Sequence, residues 1–305
     1  MVMIVFHPQL VPMNDSTSTF LFVVNPVAGN SNTNFRAEIE NFFQPMSHVI
    51  HFFQLEKDTQ ATEIKEKIKQ LRPRAVVAVG GDGTVKLVAE CLIETDVPLG
   101  IVPAGSANGM AKELGIVINT NEALTAICNG TTRAIHTLKV NDHLCVHLSD
   151  IGINAWIVKK FHAEKKRGWK SYAKAAWKAI WRPQQLHVSM RINGVEIDRR
   201  AVMIVIANAT KYGTGAVINP EGSLADDVFE VVIVKKISLS EIFKMKLTHA
   251  EYDPRKTEVI QTADVTIKVR QHPAHFQVDG EYAGKTTDVR AQLMPGFLKV
   301  LVPAR

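Results

Sequence analysis

Ala75-Val76-Val77-Ala78-Val79-Gly80-Gly81-Asp82-Gly83-Thr84-Val85 is the stretch around which this chain is organised. A short run of small apolar residues, three of them Val, suits a strand buried on both faces of a parallel sheet. Three glycines then surround one aspartate, and Val85, Val88, Ala89, Leu92 and Ile93 follow at helical spacing. Strand, glycine turn and helix together suit a phosphate site: glycines let backbone approach an anion, and the helix's first turn offers free N–H groups. Thr84 is placed to cap the helix or bond a phosphate oxygen. Asp82 is the anomaly, because a carboxylate repels phosphate unless a metal ion or a transferable proton lies between them. The combination points to phosphoryl transfer from a nucleotide. The plain alternative is a tight turn with an Asx cap, but an ordinary turn needs one glycine rather than three.

Outward from this stretch the pattern alternates. Phe20-Leu21-Phe22-Val23-Val24 reads as a buried strand running into the turn-rich loop Asn25-Pro26-Val27-Ala28-Gly29-Asn30. A helix over 34–43, a strand over 48–54 ending in Gln54 and a Lys/Glu-rich helix over 59–70 complete the upstream part. Downstream come a strand over 98–102, the loop Pro103-Ala104-Gly105-Ser106-Ala107-Asn108-Gly109 and a helix over 110–114. Strands alternating with helices predict a doubly wound, Rossmann-like parallel sheet. Loops at the C-terminal ends of its strands are where nucleotides bind. Three such loops would converge at one edge, with Ser106 and Asn108 placed to donate to phosphate.

From about Thr137 the character changes to strand-like segments: 138–140, 144–148, 186–192, 195–197, 201–208, 228–234, 258–269, 274–278 and 297–302. Asn193-Gly194 is a hairpin signal. The expectation is an all-β second domain. Composition is that of a soluble globular protein, with 46% hydrophobic and 22% charged residues. At 305 residues the chain has room for about two domains. No apolar run approaches the roughly 18 to 20 residues that span a bilayer, and Met1 to Phe6 is too short for a signal-peptide core. Cys91, Cys128 and Cys145 lack metal-ligand spacing and read as reduced thiols of a cytoplasmic protein.

The order of these motifs resembles the diacylglycerol kinase catalytic-domain family, which is related to sphingosine kinases. Asn25-Pro26 with Gly29, then Gly80 to Thr84, then Pro103 to Asn108 followed by Met110-Ala111-Lys112-Glu113-Leu114-Gly115-Ile116 carry the resemblance. Ile151-Gly152-Ile153, Tyr212-Gly213, Leu224 to Val234 and Asp279-Gly280-Glu281 extend it to residues 20–302. The resemblance implies an ATP-dependent lipid kinase with an α/β nucleotide domain over 1–136 and a β-sandwich lipid domain over 137–289. The last strand, about 290–305, would return to the first domain, and the active site would lie in the cleft. Asn25, Gly29, Gln54, Gly81, Asp82, Gly83, Thr84, Val85 and Ser106 would touch the nucleotide. Glu281 matches the proton acceptor, with Asp82 and Asp279 sharing the catalytic work. Leu224, Asp227 and Phe229 match a Mg²⁺ site of one carboxylate and two carbonyls, oxygen ligands of the kind Mg²⁺ prefers. Asp279-Gly280-Glu281 equally suits a type I′ hairpin turn, and Asp226-Asp227 a solvated turn.

The chain departs from the family's pattern at three points. Lys86-Leu87 stands where Asn-Glu is usual, so the acid one turn into the helix is replaced by a side chain that cannot ligate metal. Gly109 stands where Asp is common, and Val228 where glycine is expected after Asp227.

The net charge is +6, and it is unevenly placed. Residues 156–182 carry nine Lys or Arg, one acid (Glu164) and all four tryptophans (156, 169, 177 and 181). Lys166, Lys170, Lys174, Lys178 and Arg182 form one helical stripe, and Trp169, Ala173, Trp177 and Trp181 a neighbouring one. Basic residues beside Trp suit peripheral association with an anionic membrane surface. A core of tryptophans under a solvated basic face is the alternative. No recognition motif accompanies the charge, so nucleic acid is not the expected partner. A lipid substrate is expected, with diacylglycerol or a similar neutral lipid ahead of a sphingoid base, since no acid closely follows Gly152. A homo-oligomer stays open. The rival functions are a lipid-binding pseudokinase, suggested by Leu87, and an NAD kinase, against which the 103–108 loop and Asp279–Glu281 speak.

Overall fold

The computed structural model describes residues 17–28, 34–93, 95–164, 183–209, 211–212, 216–217, 224–236 and 253–304. The expectations for residues 1–16, for Gly29 and for the greater part of the basic segment, 165–182, lie outside the described residues. The protein is an α/β layer continued into an antiparallel β-sandwich.

β3 (Ala75–Gly80) lies in the middle of the parallel part, and all six of its residues are buried. It pairs in parallel with β1 (Thr19–Val24) on one side and β4 (Leu99–Pro103) on the other; β2 (Val49–Gln54) lies beyond β1. Helices α1 (Phe35–Phe43), α2 (Ala61–Leu71), α3 (Asp82–Leu92), α4 (Gly109–Glu113) and α5 (Thr120–Asn129) follow the strands as crossovers and cover them. Asn34 caps α1 by accepting from the Ala37 N–H, and Gln60 with Glu63 closes a capping box on α2. α5 opens on a capping signal, Asn119 three residues before Glu122, and the Asn119 side chain accepts from the Glu122 N–H.

The parallel order continues into antiparallel strands. β18 (Asp288–Val302) meets β4 in parallel at Val300 and Leu99, then pairs antiparallel with β15 (Asp264–Arg270) through its first half. Along its other edge runs β5 (Thr131–Val140), itself paired with β6 (His143–Cys145). β8 (Leu186–Ile192) and β9 (Val195–Ala201) complete this sheet. The last strand therefore does return to the first layer, but it begins earlier than 297 and serves both layers. Its pairing with β5 shifts register between Met294 and Leu298, in the stretch between its β15 partners and its contact with β4.

A second sheet has the order β14-β13-β10-β7-β16-β17, from β14 (Thr257–Thr262), β13 (Phe229–Val234), β10 (Met203–Ala207), β7 (Leu148–Gly152), β16 (Ala274–Val278) and β17 (Glu281–Thr286). All its pairings are antiparallel. Val188, Met190, Val265, Ile267 and Val289 of the first sheet pack with Ile204, Ile206, Val231, Ile233 and Phe276 of the second as one core. The Asn193-Gly194 hairpin forms with positive φ at both residues, as the turn type requires.

Two expected strands are each divided. The segment 258–269 splits at Ala263 into β14 and β15, in different sheets. Thr262 Oγ1 donates to the Asp264 carbonyl at 2.6 Å and accepts from the Asp264 N–H, replacing ladder bonds at the break. The segment 144–148 splits into β6 and β7 because Asp279 draws away consecutive N–H groups, described below.

A charged tie joins the edges of the two sheets. Arg199 on β9 makes two bonds of 2.9 Å to the Glu258 carboxylate on β14, and Lys235 adds a third contact at 2.8 Å. The hydrogen bond from Arg199, ahead of the cost of burial, holds the Glu258 pKa down at about 2, from the usual 4.5. The tie therefore adds stability above about pH 4.5 and loses it as pH falls through about 2. Glu258→Gln is expected to cost about 1 kcal/mol or less at pH 7 and nothing below pH 2, read from urea titrations across that range.

Candidate active site

Three loops leave the C-terminal ends of β1, β3 and β4 and meet. After β1, the Asn25 N–H bonds the Val79 carbonyl, its Oδ1 accepts from the Val27 N–H, and its Nδ2 reaches Thr84 Oγ1 at 3.3 Å. After β3, Gly81 precedes α3, and Thr84 and Val85 N–H both return to the Gly81 carbonyl. After β4, Ala104 N–H bonds the Gly80 carbonyl, and Asn108 closes the loop on Gly105 through both amide atoms. Gly81 and Gly105 lie backbone against backbone: a Cβ on Gly105 would come within 2.4 Å of the Gly81 Cα. Only glycine allows that approach. Gly83 is exposed in the first turn of α3 and Ser106 on its loop, Thr84 and Val85 are buried, and Gln54 is exposed at the end of β2.

Asp82 joins two of these loops. Its carboxylate accepts from the Gly109 and Met110 N–H groups, each at 3.1 Å, at the start of α4. Both oxygens of the residue expected to act catalytically are thus engaged in holding the loops. Gly109 is explained by its neighbour, since a Cβ there would lie 2.7 Å from His147 Cε1. The place of a side chain at 109 is filled by the His147 ring.

Across a cleft of about 240 Å³ stands the turn between β16 and β17. Asp279 and Gly280 both have positive φ, 49° and 83°, so the type I′ turn is formed. The Asp279 carboxylate accepts from three consecutive N–H groups, Val146 at 3.0 Å, His147 at 2.9 Å and Leu148 at 3.1 Å. The Cys145 thiol donates to it at 3.6 Å. Asp279 is thus a clamp on the β6–β7 loop. Glu281, first residue of β17, is exposed and has no such clamp; its Oε2 lies 3.1 Å from Lys86 Nζ. Asn154 and Val158 of α6 (Ile153–Glu164) close the far side of the cleft.

Lys86 was not expected as a site residue. It is 6% exposed on the first turn of α3, and also donates to the Val278 carbonyl at 3.5 Å. Burial opposes its charge, but Asp279, Glu281 and Glu90 outweigh that and raise its pKa. Burial in turn pushes up the pKa of Glu90. The signal for Lys86 was a lysine at helical register with Asp82, on the face that looks into the cleft.

Oxygen donors for a cation occur at the turn before β13. Leu224 is buried and its carbonyl accepts from His136 N–H at 2.8 Å; Asp227 is exposed; Phe229 is fully buried. It is Asp226 whose Oδ1 is buried without a hydrogen-bond partner, and desolvation raises its pKa. The donor chemistry there fits a hard cation with Asp226 as well as Asp227 available. In the cleft, Asp82 and Asp279 accept backbone N–H groups and Glu281 Oε2 meets the Lys86 ammonium. Among the described residues no group of three or more His, Cys, Asp or Glu is placed to hold a metal ion.

Fold and site together define an α/β layer, with three converged glycine-bearing loops, facing a β-sandwich across a cleft. The chain belongs to the diacylglycerol kinase catalytic-domain family: residues 19–140 match the diacylglycerol kinase catalytic domain, and residues 150–302 the YegS C-terminal NAD kinase beta sandwich-like domain. It is 26% identical to a diacylglycerol kinase of Mycobacterium tuberculosis, over 75% of this chain and 77% of that one. It is 28% identical to an uncharacterized protein of Synechocystis, over 94% of this chain and 71% of the relative. A crystal structure of a diacylglycerol kinase from Bacillus anthracis shares the fold, with TM-score 0.74, 17% identity and coverage of 93% and 97% of the two chains. Among the described residues no helix is long and apolar enough to cross a membrane.

Proposed function

We propose that the protein transfers the γ-phosphoryl group of ATP to a primary hydroxyl of diacylglycerol or a similar neutral lipid, in the cleft between the three loops and the β16–β17 turn. The observation that carries this is the pairing of converged loops with one carboxylate, Glu281, that no backbone N–H holds. Glycine-lined backbone and the α3 N-terminus receive the phosphates. Glu281 takes the proton of the lipid hydroxyl as its oxygen bonds the γ-phosphorus, the bond to the β-phosphate oxygen breaks, and ADP leaves. Asp82 and Asp279 act as positioning residues. A neutral lipid is favoured over a sphingoid base because Asp150, just before α6, is buried and engaged by Asn154, the Ala155 N–H and Gln277. Mg²⁺, expected from the family, enters no step here.

Incubation of the purified protein with labelled ATP, Mg²⁺ and a total lipid extract tests this directly. A labelled lipid supports the kinase; none in a protein that binds both lipid and nucleotide supports the pseudokinase, which Leu87 and the Lys86–Glu281 pair favour. Glu281→Gln is expected to lower kcat by roughly 10- to 100-fold while leaving ATP affinity undiminished. The lower end reflects the small demand for base catalysis in a loose transition state. A collapse of ATP affinity instead would make Glu281 a nucleotide or metal ligand.

The substrate lies in a bilayer, and residues 156–182 are proposed to bring the protein to an anionic surface. Changing Lys166, Lys170, Lys174 and Lys178 together to Gln is expected to weaken sedimentation with anionic vesicles by up to about 4 kcal/mol, with little change in melting temperature. Unchanged vesicle binding would make the lysines a solvated face.

A further inference from the structure

The cleft holds a cation of its own. Lys86 is buried, reaches Glu281 Oε2 at 3.1 Å and the Val278 carbonyl at 3.5 Å, and lines the cavity with Asp82, Met110 and Gly280. An ammonium has three protons to donate, so two acceptors leave it one more for a ligand entering the cleft. A buried charge is retained only where anions compensate it, and Glu281 is partly open to water while it does so.

Two neighbouring positions point the same way. Leu87 packs against the N-terminal hydrophobic core, so no acid stands there. At 109 the His147 ring occupies the room a side chain would need. The remaining cleft carboxylates, Asp82 and Asp279, are each satisfied by backbone N–H groups. Positive charge at this end of α3 thus comes from Lys86 and the helix N-terminus, and among the described residues no group of three or more His, Cys, Asp or Glu is placed there to hold a metal ion.

We propose that the Lys86 ammonium is the resident cation of the cleft and binds the terminal phosphate of the nucleotide, so that phosphate binding does not depend on a divalent cation held by the protein; this rests on the kinase reading of the site. Glu281 is its partner in the free protein and gives up part of that contact when the phosphate arrives. The two anions compete for one ammonium, which makes Glu281→Gln informative as well as Lys86→Met.

Equilibrium binding of ATP, measured by calorimetry in EDTA and in Mg²⁺, reads this without turnover. The intact protein is expected to bind ATP in EDTA within about fivefold of its affinity in Mg²⁺. Lys86→Met should bind at least tenfold more weakly in EDTA, Lys86→Arg should stay within about threefold, and Glu281→Gln should bind a few-fold more tightly. ATP binding that disappears in EDTA, or a Lys86→Met protein that binds as tightly as the parent, would overturn the proposal. Should Lys86→Met not fold, Glu281→Gln decides, and unchanged or weaker binding in EDTA overturns it. Pyrophosphate serves as the second probe. If ATP fails to bind in either buffer while pyrophosphate binds in a Lys86-dependent way, the kinase reading falls and the anion site stands. If neither binds, both fall.

Discussion

Asp82→Asn is expected to reduce kcat/KM for ATP by about 10³-fold, roughly 4 kcal/mol of transition-state stabilisation, and to lower stability by about 2 kcal/mol. The carboxylate accepts one N–H on each oxygen, from Gly109 and Met110. An amide keeps one acceptor and turns its NH₂ group against the other N–H, so a charge-assisted bond becomes a clash of donors. The loops after β3 and β4 then lose their common anchor. Misplacing a reacting group by about 1 Å alone can cost about 10²-fold, and weaker nucleotide binding multiplies that loss. Steady-state kinetics with a urea titration of the same protein would measure both. Lost activity at unchanged stability would return Asp82 to direct chemistry; unchanged activity and stability would make the loop an ordinary turn.

The α/β half was legible because its signals are local. β3 is a continuous apolar run, and its turn needs glycines for a close approach, Gly81 against Gly105, that can be anticipated from their number alone. Convergence of three loops follows from parallel strands and needs no side-chain detail. The partners of the carboxylates were not legible. Asp82 and Asp279 read as candidate catalytic acids, and only the tertiary structure shows that both also accept from backbone N–H groups 27 to 133 residues away. The same distance hid the break between β6 and β7, since apolar 144–148 reads as one strand until the Asp279 carboxylate is set beside it. Lys86 was visible only as a departure; its pairing with Glu281, 195 residues on, belongs to tertiary structure. At the turn before β13, neighbouring Asp226 and Asp227 are indistinguishable until burial turns the first inward and leaves the second exposed.

Asp279→Ala is expected to be the most destabilising of these changes, at about 4 kcal/mol. Three N–H groups, on Val146, His147 and Leu148, lose their acceptor at once. A bond to a charged group is worth about 1.5 to 3 kcal/mol when isolated, but water can enter from the cleft, so about 1 kcal/mol for each is the fitting scale. Asp279 also sits at φ 49°, a conformation that costs alanine about 1 kcal/mol more. Asp279→Asn keeps the backbone preference and one acceptor, and should cost about 1 to 2 kcal/mol. Asp279→Gly isolates the other half of the effect, restoring the backbone while removing every acceptor, and should fall between the two. That order, Asn mildest, then Gly, then Ala, is what urea titrations should return. In Asp279→Gly the β16–β17 turn loses its tether to the β6–β7 loop, and Glu281, two residues on, loses its fixed station over the cleft. Turnover should therefore fall in Asp279→Gly, and more than ATP affinity does, because the three loops proposed to receive the nucleotide lie on the opposite wall. An Asp279→Ala protein as stable as the parent would show that the carboxylate is free of the loop, and would put it back among the groups available to move a proton.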